Sequence, residues 1–529
     1  MTENFKDNLK KVLGDLPLAA EAYWYLAQAG RPPRGHFSLE NLAEVLPDWR
    51  QQVEEAAWKA RDGKRILVFA TLHYWIEHAA LLSLALSGMG HQVTLAFLPY
   101  GEWKQPHDRF DLRRRNLYAL KVLRHAEPFL HVISFLNQKK VQDLPNGLLP
   151  TIRDNAFRDT QYSLQVEDID PNSRLYQLRL ERDSLAGEAA FNWLKNNLPD
   201  TVVVPNGSIL EFSAIYQAAR YLGIPVVTYE FGEQRERIWL AQDAEVMRQE
   251  TDDLWEARKA LPLEPEQLDQ VRALFAARQR ASLWENFARR WQGVPSEGGE
   301  KVRSELALDG RPVVLLATNV IGDSLTLGRQ VFSDSMTTWL ERTMQYFAAH
   351  RNVQFVVRIH PGELITKGPS VADVVRRTLP DLPEHIHLVP ADAKVNTYDI
   401  VEIADLGLVY TTTVGLEMAM SGVPVLAVGR THYRGKGFTL DPDTWEGYFS
   451  ILDRALADLE GYRLSQQQVE QAWNYAYRFF FEYPHPFPWH VVHLWKDVRE
   501  WPLKRVLSEE GQECYGNTFR YLSGEEIQW

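Results

Sequence analysis

In YTTTVGLEMAMSGVPVLAVG, residues 410–429, an apolar run ends in Thr411, Thr412 and Thr413, and a helical pattern begins at Val414 and Gly415. Hydroxyls and backbone N–H groups gathered at a helix N-terminus attract an anion, because the orphan donors of the first turn and the helix dipole both favour negative charge. Gly415 removes the Cβ where a phosphate would approach, and Glu417 in the first turn is placed to accept hydrogen bonds from ribose hydroxyls. The same residues also read as an ordinary Thr-capped helix. A second element, VRIHPGE (357–363), closes another apolar run on Arg358, His360 and Pro361. Proline confines the residue before it to extended backbone, so His360 is held at a strand's carboxyl end, where an imidazole can donate to a nucleotide phosphate. Phosphate charge is expected to meet Arg358, His360, Lys367 and Arg430.

Such elements need a parallel sheet to bring them to one edge. The apolar runs KRILVFATLH (64–73), QVTLAFLP (92–99), FLHVISFL (129–136), TVVVPNG (201–207) and PVVTYEFG (225–232) alternate with helical stretches, the pattern of a doubly wound α/β domain. A charged helical stretch from 241 ends in GVPSEGGEK (293–301), which has linker composition. Five more runs follow: PVVLLATNV (312–320), VQFVVRIHP (353–361), HIHLVP (385–390), LGLVYTTT (406–413) and PVLAVG (424–429). The expected architecture is α/β, with two Rossmann-like doubly wound domains facing a cleft. Its segments are a helical start (1–60), a first domain (61–240), a charged insert and linker (241–304), a second domain (305–463) and a C-terminal helix crossing back to the first domain (464–529).

Bulk properties narrow the function classes. Acidic residues outnumber basic ones 70 to 58 over 529 residues, a net charge of −12, so no global field attracts nucleic acid. The single cysteine, Cys514, can form neither an intrachain disulfide nor a cysteine-based metal site, which fits a reducing cytoplasm. The start, MTENFKDNLKKVLGDL, is polar where a secretory signal needs an apolar stretch, and the apolar run 79–89 is too short to span a bilayer. A soluble, cytoplasmic chain is expected. No HExxH occurs, and Glu77-His78 lacks a partner at helical spacing, so no metal site is expected. The basic stretch DLRRRNLYALKVLRH (111–125) reads as a solvated helix face, or as a contact with the inner membrane surface if the acceptor is lipid-linked.

The GLE…GVPV pattern at 415–425 resembles the donor-binding domain of GT-B-fold glycosyltransferases. With R-x-H-P at 358–361, the Ser/Thr cluster and GR-x-x-Y-x-G-x-G-F-T at 429–439, it is similar to the nucleotide-phosphate site of bacterial sialyltransferases, Kdo transferases and teichoic-acid glycerophosphotransferases, and most of all to the capsule polysaccharide biosynthesis family. PNGS (205–208), GIP (223–225) and TYEFG (228–232) resemble that family's first domain. The resemblance implies a nucleotide-sugar donor, of cytidine type (a CMP-linked sugar), no resident cofactor, and a glycan or lipid-linked glycan acceptor. It places Asn206 and Glu230 on the acceptor side, with Glu230 as catalytic carboxylate, and His360 is the second catalytic candidate. His73 joins them at the end of the first strand, and Asp168 stands in reserve. The D-D-G or E-D-G element of the sialyltransferases does not occur. A nucleotide-sugar epimerase or hydrolase, and a non-catalytic assembly protein, remain alternatives on these residues. Activity with the right donor and acceptor is expected to survive EDTA; strict dependence on added Mg²⁺ or Mn²⁺ would contradict the absence of a metal motif.

Overall fold

Arg65 is followed by six residues, ILVFAT, that are all buried, which requires a strand covered on both faces. The computed structural model, which describes residues 10–32, 37–57, 63–106, 108–138, 144–283 and 293–529, builds such strands into two units. The first unit gathers 1–159, 170–246 and 485–528; the second gathers 160–169 and 247–484 with the last residue, Trp529.

The first unit holds β1 (Arg65–Thr71), β2 (Gln92–Leu98), β3 (Leu130–Ser134), β4 (Thr201–Pro205), β5 (Val226–Glu230) and β6 (Arg237–Gln242). From one edge the order is β3, β2, β1, β4, β5, β6, and then the two-residue strand His485–Pro486. β1 to β5 are parallel; β6 and the last strand pair antiparallel. The second unit holds β7 (Val313–Ala317), β8 (Gln354–Arg358), β9 (Ile386–Val389), β10 (Leu406–Val409) and β11 (Val425–Ala427), all parallel, in the order β9, β8, β7, β10, β11. Both orders are the Rossmann order, in which the chain winds outward from the first strand, returns beside it and winds the other way. All ten expected strands are present. The two additions are the antiparallel edge strands, which carry no continuous apolar run.

Each unit has its own core, and the cores move the expected borders. The helix Glu40–Ala57 is not a separate N-terminal segment, because Leu42, Leu46, Trp49 and Val53 are buried in the same cluster as β1. The charged stretch after 241 is no linker alone. Its helix Pro265–Gln279 buries Phe275 against Trp473 and Phe480 inside the second unit. The helix Gln466–Tyr477 stays in that unit too, with Trp473 Nε1 donating to the Met420 carbonyl at 2.9 Å. The chain rejoins the first unit only from His485.

Candidate functional site

In the second unit the winding reverses between β7 and β10, so the connections after these strands lead away on opposite sides and leave their carboxyl ends uncovered. The residues at those ends are polar. Asn319 Oδ1, just past β7, accepts from the Thr411 backbone N–H at 3.1 Å, continuing the ladder with a side chain. Thr318 Oγ1 accepts from the His360 N–H at 3.0 Å on the other side. His360 and the threonines therefore share one sheet edge, on strands flanking β7 and about 10 Å apart at ordinary strand spacing. His360 Nδ1 accepts from the Gly362 N–H at 2.9 Å, which leaves the ring proton on Nε2 and makes that nitrogen a donor. A Cβ on Gly362 would lie 2.7 Å from Nδ1, so the glycine is what lets this turn close.

Several of the expected donor-side groups are committed elsewhere. Arg358 is buried and donates to the carbonyls of Pro390, at 2.5 Å, and Val395, at 3.4 Å, and to Thr397 Oγ1 at 3.4 Å. It shapes the loop after β9 rather than presenting charge to a phosphate, and burial lowers its pKa to about 10, leaving it cationic at neutral pH. Glu417 does not face a ribose. Its carboxylate is buried in an ion pair with Arg278, itself packed over Phe275 and Phe480. Gly415 makes room for protein, since a Cβ there would collide with the Tyr433 hydroxyl. That hydroxyl donates to the Thr412 carbonyl at 2.6 Å, and Thr411 Oγ1 donates to the Leu325 carbonyl at 2.7 Å. Thr413 enters the helix Val414–Met420 without a side-chain bond to its first turn. Arg430 and Lys367 have exposed side chains.

The first unit reverses its winding between β1 and β4. Both ends carry left-handed backbone. Leu72 follows β1 at φ 64° and ψ 141°, and after β4 Asn206, Gly207 and Leu210 have φ of 57°, 83° and 52°. Left-handed non-glycine residues cost about 1–3 kcal/mol each and persist where surrounding bonds over-determine them. Asn206 shows those bonds. Its N–H donates to the Tyr229 carbonyl at 2.8 Å, its Oδ1 accepts from Ser208 Oγ at 2.6 Å, and its Nδ2 donates to Glu230 Oε2 at 2.8 Å. Glu230 Oε1 accepts from the Phe231 N–H at 3.0 Å. Burial raises the Glu230 pKa above the usual carboxylate value, and the bonds from Asn206 and Phe231 pull it back in part. The rings on either side anchor the strand end: Tyr229 is fully buried, and Phe231 packs on Trp75 and on His490, 4.9 Å between centroids. His73 begins the next helix at the β1 end, so three of the expected residues, His73, Asn206 and Glu230, fall on the ends of adjacent strands. Asp168 is exposed and lies in 160–169, which belongs to the second unit.

No family model and no curated relative matches the chain. Among solved structures, "Thermosulfurimonas dismutans KpsC, beta Kdo 2,4 transferase" is 18% identical with a TM-score of 0.31, over 52% of this chain and 78% of that one. UDP-GlcNAc 2-epimerase from Neisseria meningitidis, bound to UDP-GlcNAc, is 13% identical with a TM-score of 0.26, over 79% and 99%. A glycosyltransferase from Rickettsia africae is 9% identical with a TM-score of 0.27, over 85% and 100%. Likeness at this level assigns neither activity nor substrate. The fold class rests on the two sheets themselves.

Residues that sequence reasoning missed are the strand-end partners Thr318 and Asn319, and Tyr74, which is partly exposed and whose pKa is raised by its partial burial and by the Glu230 charge. The signal for the first two was present, since Thr318 and Asn319 interrupt an apolar run. Glu77 and His78 are both buried, the first accepting from Trp495 Nε1 at 3.2 Å and the second 3.2 Å from the Trp489 carbonyl through Nε2. Burial lowers the His78 pKa to about 3 and raises that of Glu77 to about 7. Among the described residues no group of three or more His, Cys, Asp or Glu is placed to hold a metal ion. Glu417→Gln is expected to strip the countercharge from buried Arg278 and to destabilise the second unit by about 3–5 kcal/mol in denaturant unfolding. Unchanged stability with weakened nucleotide binding would return Glu417 to the ribose.

Proposed function

We propose that the chain is a metal-independent glycosyltransferase of bacterial surface or capsular polysaccharide assembly, acting on a nucleotide-activated sugar and a glycan or lipid-linked glycan acceptor. The observation that carries the reading is the Asn206–Glu230 pair beside the β1–β4 reversal, a carboxylate aimed by an amide at 2.8 Å and a backbone N–H at 3.0 Å. Carboxyl ends at a winding reversal are where ligands of this fold class bind. In the first unit Glu230 takes the proton from an acceptor hydroxyl as its oxygen bonds to the anomeric carbon. The bond from that carbon to the nucleotide phosphate breaks, and the phosphate leaves with the electron pair. The second unit's His360 Nε2–H, Thr412 and Thr413 are the groups suited to hold a nucleotide phosphate, and Arg430 and Lys367 supply charge. Arg358 contributes through the loop it braces, and Tyr74 offers a ring face to a sugar. The site of action is the cytoplasm, at the inner membrane when the acceptor is lipid-linked.

Glu230→Gln is expected to lower transfer by about 10²–10⁴-fold with nucleotide affinity nearly unchanged, because a base acts in the transition state more than in donor binding. Equal losses in both would make Glu230 a donor ligand or a structural residue. A base works ionised, so the rate should rise with pH through a pKa above the ordinary glutamate value. Asn206→Gly keeps the left-handed backbone but deletes the bond that favours the charged carboxylate, and should move that rise to higher pH. Consumption of a nucleotide sugar with no acceptor present would favour an epimerase instead.

The preferred nucleotide is expected to be CMP or CDP. The reading follows from R-x-H-P before a Ser/Thr cluster, which resembles families with cytidine-linked donors, and one imidazole donor suits the single phosphate of a CMP-sugar; Arg430 and Lys367 are the cationic pair a UDP- or GDP-sugar would use instead. Calorimetric titration with CMP, CDP, UDP and GDP tests this, and tighter binding of UDP or GDP than of either cytidine nucleotide would sink it.

A further inference from the structure

Among the described residues six of the seventeen exposed large hydrophobic side chains fall between Val12 and Leu26 in the first unit. The helix Ala19–Ala22 runs on into the turn Tyr23–Ala27. Leu18, Ala22, Tyr25 and Leu26 fall on one side of it, with Leu18 72% and Leu26 85% exposed. Ala20 and Trp24 on the other side are buried, with Trp24 Nε1 donating to the Arg31 carbonyl at 3.0 Å. Tyr23 meets Phe110 at 5.4 Å between centroids. The segment is thus pinned by its inner face, and by Arg113 to Glu21 and Arg109 to Asp15, to the helix Arg109–Leu123. Its outer apolar face is held out by a firm anchor.

The segment and the helix that anchors it carry a net positive charge, with Lys121 Nζ reaching the Gly30 carbonyl at 3.4 Å. Residues 10–31 and 108–125 carry nine Lys and Arg against four Asp and Glu, a local balance of +5 in a chain of net charge −12. The ion pairs within the region consume its few carboxylates and leave the excess cationic, with Lys11, Arg31, Lys121 and Arg124 exposed. An apolar ridge carrying a tyrosine, set in a basic field, matches the two signals that hold a protein on a bilayer: apolar insertion into the headgroup boundary and attraction to anionic lipid. No helix among the described residues is long and apolar enough to cross a membrane, so the contact is one of surface docking.

We propose that the ridge of Leu18, Tyr25 and Leu26, with its basic surround, docks the first unit on an anionic lipid bilayer. This deepens the lipid-linked acceptor of the proposed function, and its test uses neither donor nor acceptor, so the two fail separately. The full chain is floated with phosphatidylcholine vesicles, with and without about one-third phosphatidylglycerol. Wild type should bind the anionic vesicles and lose most of that binding at about 0.5 M NaCl. Leu18→Asp with Leu26→Asp should weaken binding at least about tenfold while circular dichroism and melting stay unchanged, since both positions are exposed. Arg31→Glu with Arg124→Glu should weaken binding to the anionic vesicles alone. Failure of wild type to bind, equal binding by wild type and the leucine variant, or a wild-type dimer that this variant dissociates in sedimentation without any vesicle binding would each overturn the proposal.

Discussion

A parallel sheet that winds outward both ways from its first strand must reverse direction at one strand pair, and at that pair no connection covers the carboxyl ends. The protein meets this constraint twice, between β1 and β4 and between β7 and β10. At both places the ladder has run out, yet the backbone groups still need partners. An asparagine supplies them each time. Asn319 accepts from the strand across the reversal, and Asn206 ties its own loop to Ser208 and then reaches Glu230. Polar side chains that finish a ladder are also rigidly aimed, which is why the same few residues are the candidates for chemistry.

Several arginines of this acidic chain are spent inside. Arg179 is fully buried among Asp159, Asp183 and Glu211, at 2.6, 3.4 and 3.2 Å. Glu211 follows left-handed Leu210, and Asp159 accepts from the Leu210 N–H, so the cluster sits under the loop that carries Asn206. Burial pushes Asp183 well above the usual carboxylate range, which relieves the excess of three acids around one guanidinium. Arg278 and Arg358 are used likewise, one against Glu417 and the other on loop carbonyls. A buried guanidinium satisfies carbonyls and carboxylates with several directed donors, and such a group is a frame for a site more than a ligand of its substrate.

The C-terminal segment has a comparable role in the first unit. His490 packs at a tilt against Phe231 and lies 3.2 Å from the Gly232 carbonyl through Nε2, while Phe487 adds a second ring contact to Phe231. The backbone immediately after Glu230 is therefore clamped by residues some 250 positions later in the chain. Precision at a strand end comes from packing of this kind, since a strand terminus without it frays.

The sequence by itself determined the ten parallel strands and the carboxyl edges of the two sheets, with His360 and the threonines on one sheet and Asn206 and Glu230 on the other. Apolar runs broken by polar residues report burial on both faces of a sheet, and a strand's last residues must lie at its carboxyl end. It did not determine the antiparallel edge strands, whose half-buried alternation is short, nor the unit borders, which depend on where amphipathic helices find a core. Tertiary structure alone decided the partners of charged and small residues. Glu417 and Arg278 are 139 positions apart, and Gly415 yields its space to Tyr433 rather than to a ligand. Local spacing can place a carboxylate in the first turn of a helix; which cation meets it there is settled only when distant segments pack.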